Sequence, residues 1–390
     1  MRPEPSELQE LVQDLHRQGI AWLPAGLGSR LHWGPPVQAE PLVLSTAGLR
    51  GIREHNPGDF TITVAAGTPL SEVQQELAQH RQWLPLDWPW GSGAAGEASG
   101  SIGGLVARGL AGGLRQRYLG VRDQLIGIEL LRADGTRARA GGKVVKNVAG
   151  YDLMRLLTGS WGSLALITAV TLRTQPQPPE RRGLWLSGAA PELAATASWL
   201  LASSLSPERI DWQQSEGSTG LLISLASISS QTLSEQIACV RERAQQLQVE
   251  PLGPDALQQR VAEGQADRAG EPAAWLLRLG VQPDRLDTLL QERALAAIPW
   301  CFAAGSGLGM VWAARDRLAG HQVEQLRRRC HDLGGHLTVL SQPAGSYIPA
   351  WLDAPSRPLI EAIKRQFDPL QQLARGRLPG VQPASEEPAR

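Results

Sequence analysis

Glycine is spread very unevenly along this chain of 390 residues. Of its 42 glycines, 17 fall between positions 91 and 162, roughly twice an even share. Missing side chains let a backbone turn tightly and approach a bulky ligand closely. Three glycine patterns compete for that role. G-S-G-A-A-G, Gly91 to Gly96, spells the dinucleotide fingerprint G-x-G-x-x-G. Its context argues against it: the preceding W-L-P-L-D-W-P-W is broken by prolines, and no acidic residue follows at the distance needed for a ribose hydroxyl. Gly142-Lys143 lacks the following Ser or Thr of a P-loop. The third pattern, P-A-G-L-G-S-R from Pro24 to Arg30, directly follows an apolar strand. Successive amides in such a loop can point into one concavity and bind phosphate, although a plain turn has the same composition. S-I-G-G-L-V-A, Ser101 to Ala107, reads as a second turn of close approach, and the two loops could hold the ends of a pyrophosphate-bearing cofactor.

The first 175 residues alternate short strands and helices. Leu8, Leu11, Val12 and Leu15 give helical spacing over Glu7–Gln18, and G-I-A-W-L-P-A-G reads as a strand entering a turn. Pro41–Leu44 and the alternating Phe60–Ala65 read as strands, Pro69–His80 as a helix, and Gln124–Ala133 and Arg137–Ala140 as strands around an A-D-G-T turn. Gln175 to Gly183 is Pro-rich, which predicts a linker over 176–183. Beyond it, polar helices and short strands such as L-L-I-S-L-A and A-A-W-L-L-R-L predict an α+β domain over 184–378 with two βαβ-like passes. The Pro/Glu-rich residues 379–390 read as a disordered tail.

Zero formal net charge offers nothing to capture nucleic acid or an acidic membrane. Cys239, Cys301 and Cys330 are widely spaced, too few for an iron–sulfur cluster and odd in number, so reduced thiols in a cytoplasmic setting are expected. The polar, acidic amino terminus is unlike a signal peptide, and no apolar run near the glycine motifs approaches a membrane span. Any membrane association is expected to be peripheral, at the inner face and through partners. No metal-ligand spacing stands out.

Taken in order, P-A-G-L-G-S-R, V-A-A-G-T-P-L-S-E-V, G-S-I-G-G-L-V-A and R-Y-L-G-V-R-D-Q-L-I-G-I-E-L-L-R-A-D-G resemble the FAD-binding domain of the vanillyl-alcohol oxidase and p-cresol methylhydroxylase (PCMH) superfamily. G-G-K-V-V-K-N-V-A-G-Y-D-L-M-R-L-L-T-G-S-W-G-S-L-A-L-I-T resembles, within it, the E subunits of bacterial glycolate oxidases. The resemblance covers residues 20–175 and thins to short echoes afterwards. It implies an α+β fold: a two-subdomain PCMH-type FAD-binding domain over residues 1–175, followed by a smaller α+β cap.

It also implies roles for particular residues. Pro24, Ala25, Gly26, Leu27, Gly28 and Ser29 would form the first pyrophosphate loop, with backbone amides as donors. Ser101, Gly103 and Gly104 would lie against the pyrophosphate and ring system. Gly159, Ser160, Gly162 and Ser163 would line the flavin cleft, and Ile167 would touch the cofactor through its main chain. A buried lysine–aspartate pair drawn from Lys146 and Asp152, beside Asn147 and Tyr151, is expected to brace the cleft, with a direct ligand contact by Lys146 as the alternative. The family's last G-T-L-G glycine is Ala165, tolerable at negative φ. Its N-P-G-R is Ala374-Arg375-Gly376-Arg377. No His or Cys stands in P-A-G-L-G-S-R, so the FAD is expected to be non-covalent.

No catalytic residue is evident, and the H-x-G-D-G-N metal motif of the related catalytic subunits is absent. His331 and His336 read as structural, and Arg357, Lys364 and Arg365 as a solvated helix face. The resemblance therefore implies an FAD-binding subunit that oxidises glycolate beside a catalytic flavoprotein subunit and an iron–sulfur subunit. A stand-alone dehydrogenase of another small 2-hydroxy acid such as D-lactate, and a flavin-binding scaffold that never cycles, stay open.

Overall fold

A computed structural model describes residues 1–38, 41–87, 100–142, 151–215, 218–265 and 274–383. The amino-terminal half holds helix α1 (Leu8–Arg17), strands β1 (Trp22–Ala25), β2 (Leu42–Ser45), β3 (Ile52–Asn56) and β4 (Thr61–Ala65), helix α2 (Leu70–Gln79) and strand β5 (Gln82–Trp83). Then come helices α3 (Ile102–Arg108), α4 (Arg115–Tyr118) and α5 (Val121–Gln124), strands β6 (Leu125–Leu131) and β7 (Arg137–Gly141), helix α6 (Leu153–Leu157), and strands β8 (Leu166–Arg173) and β9 (Gln175–Pro176). β1 and β2 pair in parallel, while β3-β4-β8-β6-β7 form an antiparallel sheet of five strands. Alternation along β4, β6 and β8 sends Ile62, Val64, Ile128, Leu130, Val170 and Leu172 into one core with Val73 and Leu77 of α2 and Ile102 and Val106 of α3.

The carboxy-terminal half contains β10 (Glu180–Ser187), α7 (Ala190–Ala202), β11 (Arg209–Ser215), β12 (Ser218–Ser227), α8 (Ser230–Arg243), β13 (Gln248–Leu252) and α9 (Pro254–Gln265). It continues with β14 (Ala274–Gly280), α10 (Leu286–Leu290), β15 (Trp300–Ala303), β16 (Leu308–Ala314), α11 (Gly320–Asp332), β17 (His336–Ser341) and α12 (Arg357–Phe367). Eight strands form one antiparallel sheet in the order β13-β10-β12-β11-β15-β16-β14-β17. Each half of that order is a β-α-β-β-α-β unit, and the two units meet edge to edge at β11 and β15.

The eight-stranded sheet has two different faces. Trp275, Leu277 and Leu279 of β14, Val311 and Ala313 of β16, and Leu337 and Val339 of β17 lie in a core shared with α7, α8 and α11. Their neighbours Leu276, Met310, Trp312 and Leu340 turn the other way and pack with Trp33, Leu110 and Trp161 of the amino-terminal half. A strand's period of two therefore puts Arg278, His336 and Thr338 on the face that meets that half.

Two polar clusters fasten the halves together. Buried Arg209 bonds Asp87 at 2.6 Å and Asp211 at 2.5 Å, and Asp87 also accepts from the Gly112 amide at 2.8 Å. Buried Glu208 accepts from Tyr118 Oη at 2.6 Å, from Arg181 Nη2 at 2.9 Å and from Ser224 Oγ at 3.1 Å.

Three expectations need correcting. The stretch 176–183 is not all linker, because β10 begins at Glu180 and pairs with β12. Ser101–Ala107 is no open turn: Ser101 caps α3, its Oγ accepting from the Gly104 amide at 3.2 Å. The tail begins later than residue 379, since Val381 accepts from Trp351 Nε1 at 3.0 Å and the Gln382 amide donates to Asp353 at 2.7 Å. Residues 384–390, Gly91–Gly96, Lys143, Lys146 and Asn147 lie outside the described residues. Among the described residues, no helix is long and apolar enough to cross a membrane.

Candidate functional site: a glycine-lined cleft and a cationic cavity

β1 ends in the loop Gly26–Arg30, which forms one wall of a cleft of about 920 Å³ including its open mouth. The start of α3 (Ser101, Gly103, Gly104) forms a second wall, and Trp161, Gly162, Ala165, Leu166 and Ile167 form the third. Pro24, Ala25, Gly26, Leu27, Gly28, Ser29, Ser101, Gly103, Gly104, Gly162 and Ile167, all singled out in the sequence, line this one space. Gly26 is required sterically, because a Cβ there would overlap the Ser101 hydroxyl. Gly28 has φ +77°, a left-handed turn that favours glycine.

The loop leaves backbone donors unused among the described residues. Among the described residues, the amides of Gly26, Leu27, Gly28 and Ser29 donate to no protein acceptor. The α3 wall differs: Gly103 donates to Ala66 O at 2.8 Å and Gly104 to the Ser101 cap, so that wall offers closeness rather than free donors. Gly159, Ser160 and Ser163 do not line the cleft. Their amides bond Val106, Leu157 and Ser160 carbonyls at 3.0, 3.2 and 3.0 Å, which places them one layer behind it.

The brace expected from Lys146 and Asp152 is supplied elsewhere. Asp152 is exposed, caps α6 through the Arg155 amide and pairs with the Arg155 guanidinium at 3.1 Å; Tyr151 is 87% exposed. The buried pair is Lys364–Asp368, at 2.5 Å, on α12 and its C-cap. Lys364 Nζ also donates to Ser163 O at 2.7 Å and Leu373 O at 2.9 Å, while Asp368 accepts from the Gln372 and Leu373 amides. Residues 372–374 run along the free side of β1, with Trp22 N donating to Gln372 O and Ala374 N to Trp22 O. Burial pushes the Lys364 ammonium down from its ordinary range against the pull of Asp368. A solvated face was the wrong expectation for Lys364, though right for Arg357, which is held between Asp353 and Glu361.

The echo Ala374–Arg377 has a structural role as well. Arg377 is buried and donates to Pro35 O at 2.8 Å and Leu31 O at 2.7 Å, holding the chain just past the loop. Ala374 sits at φ +44°, a conformation asparagine tolerates better, whereas Ala165 is not among the positive-φ residues.

Arg108, at the end of α3, was not anticipated. It donates to Arg30 O at 2.8 Å and stacks over Trp161 at 3.8 Å, while its buried Nη1 has no partner. Burial, then the nearby charges of Arg377 and Arg30, push its guanidinium down to about 9, still cationic at neutral pH. Arg108, Leu110 and Trp161 also line a second cavity, of about 1820 Å³ including its open mouth, that holds Arg278, Arg327, His331, His336 and Trp351 together with the carboxylates of Glu324, Asp332 and Asp353. Arg278 has no carboxylate partner among the described residues, and burial, then Arg115, lowers it to about 10. Burial of the ring, then Arg278, lowers His336 below the ordinary histidine range. The structural reading of His336 is therefore incomplete, since it faces the cavity. A lone arginine inside the apolar run A-A-W-L-L-R-L was the available signal.

Residues 3–141 match the family model described as FAD binding domain. The chain carries an FAD-binding domain. Glycolate oxidase subunit GlcE of Escherichia coli is 37% identical over 173 residues, 43% of this chain and 47% of that protein. D-2-hydroxyglutarate dehydrogenase of Xanthomonas citri pv. viticola is 34% identical over 175 residues, 44% of this chain and 36% of that protein. Glycolate oxidase subunit GlcD of Bacillus subtilis is 29% identical over 208 residues, 53% of this chain and 43% of that protein. The matched stretches thus span less than half of each relative. Among solved structures, alkyldihydroxyacetonephosphate synthase superposes with a TM-score of 0.68 over 96% of this chain and 76% of that one. At 13% identity that likeness is one of fold, in agreement with the expected PCMH-type α+β architecture.

Proposed function

We propose that this chain is the FAD-binding subunit of a glycolate oxidase-type complex, oxidising glycolate to glyoxylate and passing electrons to an iron–sulfur subunit beside a second flavoprotein subunit. One observation carries the reading. A cleft walled by four free amides opens, at Arg108 and Trp161, onto a cavity in which Arg108 and Arg278 have no carboxylate partner among the described residues, whereas Arg327 pairs with Glu324.

The cleft fits FAD: the Gly26–Ser29 amides suit a pyrophosphate, and the missing Cβ of Gly26 keeps the loop against α3. When bound, the cofactor supplies a hydride acceptor that can release electrons singly. The chain's own residues do the rest. Arg278 and Arg108 hold the substrate carboxylate by charge-assisted hydrogen bonds. His336, neutral at physiological pH, takes the hydroxyl proton on a ring nitrogen. Trp161 and Trp351, with ring centroids 5.3 Å apart, screen the cavity from water. The FAD is dissociable, as no His or Cys stands in Pro24–Arg30. The FAD-binding domain ends near residue 175 and the cap begins with β10 at Glu180, with Arg357–Arg377 returning to the first domain.

A second reading, a stand-alone dehydrogenase of another 2-hydroxy acid such as D-lactate, is favoured by the likeness to D-2-hydroxyglutarate dehydrogenase. Co-expression with candidate iron–sulfur and flavoprotein partners, followed by dye reduction with glycolate and D-2-hydroxyglutarate, separates the two. The complex reading requires glycolate turnover by the assembly well above that of the FAD-loaded lone chain. Equal rates on D-2-hydroxyglutarate with and without partners would overturn it.

A further inference from the structure

A second cluster of chemistry-bearing side chains lies at the edge of the five-stranded sheet and lines neither cavity described above. His55 belongs to the edge strand β3, and Glu76 and His80 stand four apart at the end of α2, on one helix face. His55 Nδ1 lies 3.7 Å and His80 Nε2 3.9 Å from Glu76 Oε1, and the three donor atoms all fall within 4.8 Å of one another.

The hydrogen bonds around His55 fix its tautomer. Gln82 Nε2 donates to Pro57 O at 2.8 Å, which turns Gln82 Oε1 toward His55, and Thr174 Oγ1 donates to that oxygen at 2.7 Å. An amide oxygen can only accept, so His55 Nε2, 3.3 Å from it, carries a proton. In the neutral ring, Nδ1 is then a bare lone pair. It is buried without a hydrogen-bond partner, on a side chain only 6% exposed. It faces a carboxylate oxygen, also electron-rich, so something positive belongs between them. A single proton would satisfy His55 and Glu76, leaving the second imidazole, His80, its edge-to-face contact with the His55 ring at 4.8 Å between centroids.

We propose that His55, Glu76 and His80 form a site for a divalent metal ion of the zinc class, with its fourth position open to water. Two imidazole nitrogens and one carboxylate oxygen are a donor set zinc prefers, and tetrahedral binding brings such atoms to about 3.4 Å apart. Rotation of the half-exposed Glu76 and His80 side chains closes the remaining gap. Gln82 orients the buried ligand from behind, as outer-shell partners of metal-bound histidines do. The ion ties edge strand β3 to α2. It is independent of the flavin reading.

The test uses untagged, FAD-loaded full chain stripped with a chelator and titrated with zinc chloride by calorimetry, with thermal unfolding in parallel. One zinc per chain is expected, with a rise in melting temperature. Glu76→Gln and His80→Ala, at half-exposed positions, should each weaken binding by at least about 10-fold. Both should keep the zinc-free melting temperature and lose the zinc-dependent rise. No binding by the wild type below millimolar zinc, or binding unchanged in both variants, would overturn the proposal in favour of a protonated His55–Glu76 pair.

Discussion

Lys364 donates to the carbonyl of Ser163 across 201 positions of sequence, at 2.7 Å, and so joins α12 to the segment behind the glycine-lined cleft. All three of its protons are used, on Ser163, Leu373 and Asp368. The same ammonium therefore fixes residue 373 beside β1, whose end carries the Gly26–Arg30 loop.

Lys364→Met should be severe. It leaves the fully buried Asp368 carboxylate without its counter-charge, which typically costs about 3–5 kcal/mol. Chemical denaturation should show that loss, and equilibrium dialysis should show weaker FAD retention. Lys364→Arg should not rescue either property, because a planar fork cannot reproduce three divergent bonds.

Glu208 makes the union of the two halves acid-sensitive. Burial alone would raise its pKa, but bonds from Arg181, Tyr118 and Ser224 outweigh burial and hold it below its ordinary value. A lowered carboxylate stabilises the fold above its unfolded pKa, about 4.3, and that contribution is lost as pH falls through the folded value. Melting temperatures of wild type and Glu208→Gln should differ most near neutrality and converge as pH falls through the lowered folded value.

Much of this was legible in the sequence, for identifiable reasons. Period-two alternation in F-T-I-T-V-A and the spacing of Leu8, Val12 and Leu15 located β4 and α1, since burial on one face leaves that imprint. The loop from Pro24 to Ser29 was visible because its glycines are demanded by backbone geometry. Lys364 was not, because a buried lysine looks like a solvated one until its partners, 4, 9 and 201 positions away, are brought together. Gly159, Ser160 and Ser163 were placed in the cleft wall because small residues that pack behind a site resemble those that line it. Arg108 and His336 draw their significance from the meeting of two halves, which local pattern does not encode.

Arg278→Met should separate substrate from cofactor binding. The loss of charge-assisted bonds worth about 1.5–3 kcal/mol predicts a KM for glycolate raised roughly 10- to 150-fold in the assembled complex. FAD content should be unchanged, because Arg278 does not line the cleft.

His336 predicts the acid limb of the pH profile. Its folded pKa lies below 6.5, so the neutral base persists below that pH and is lost as pH falls through the lowered value. Stability should fall slightly over the same interval, because the unfolded chain binds the proton first. For the complex, kcat/KM for glycolate should stay level to below pH 6.5 and then drop, and His336→Asn should depress the plateau and remove that drop.

The most direct measurement is the visible spectrum of the FAD-reconstituted chain titrated with oxalate, a dicarboxylate that cannot be oxidised in the substrate's manner. Saturable perturbation of the flavin bands in wild type, abolished in Arg278→Met at equal FAD content, is the predicted result. A spectrum indifferent to oxalate, or perturbed equally in the variant, would contradict a substrate cavity beside this chain's own flavin.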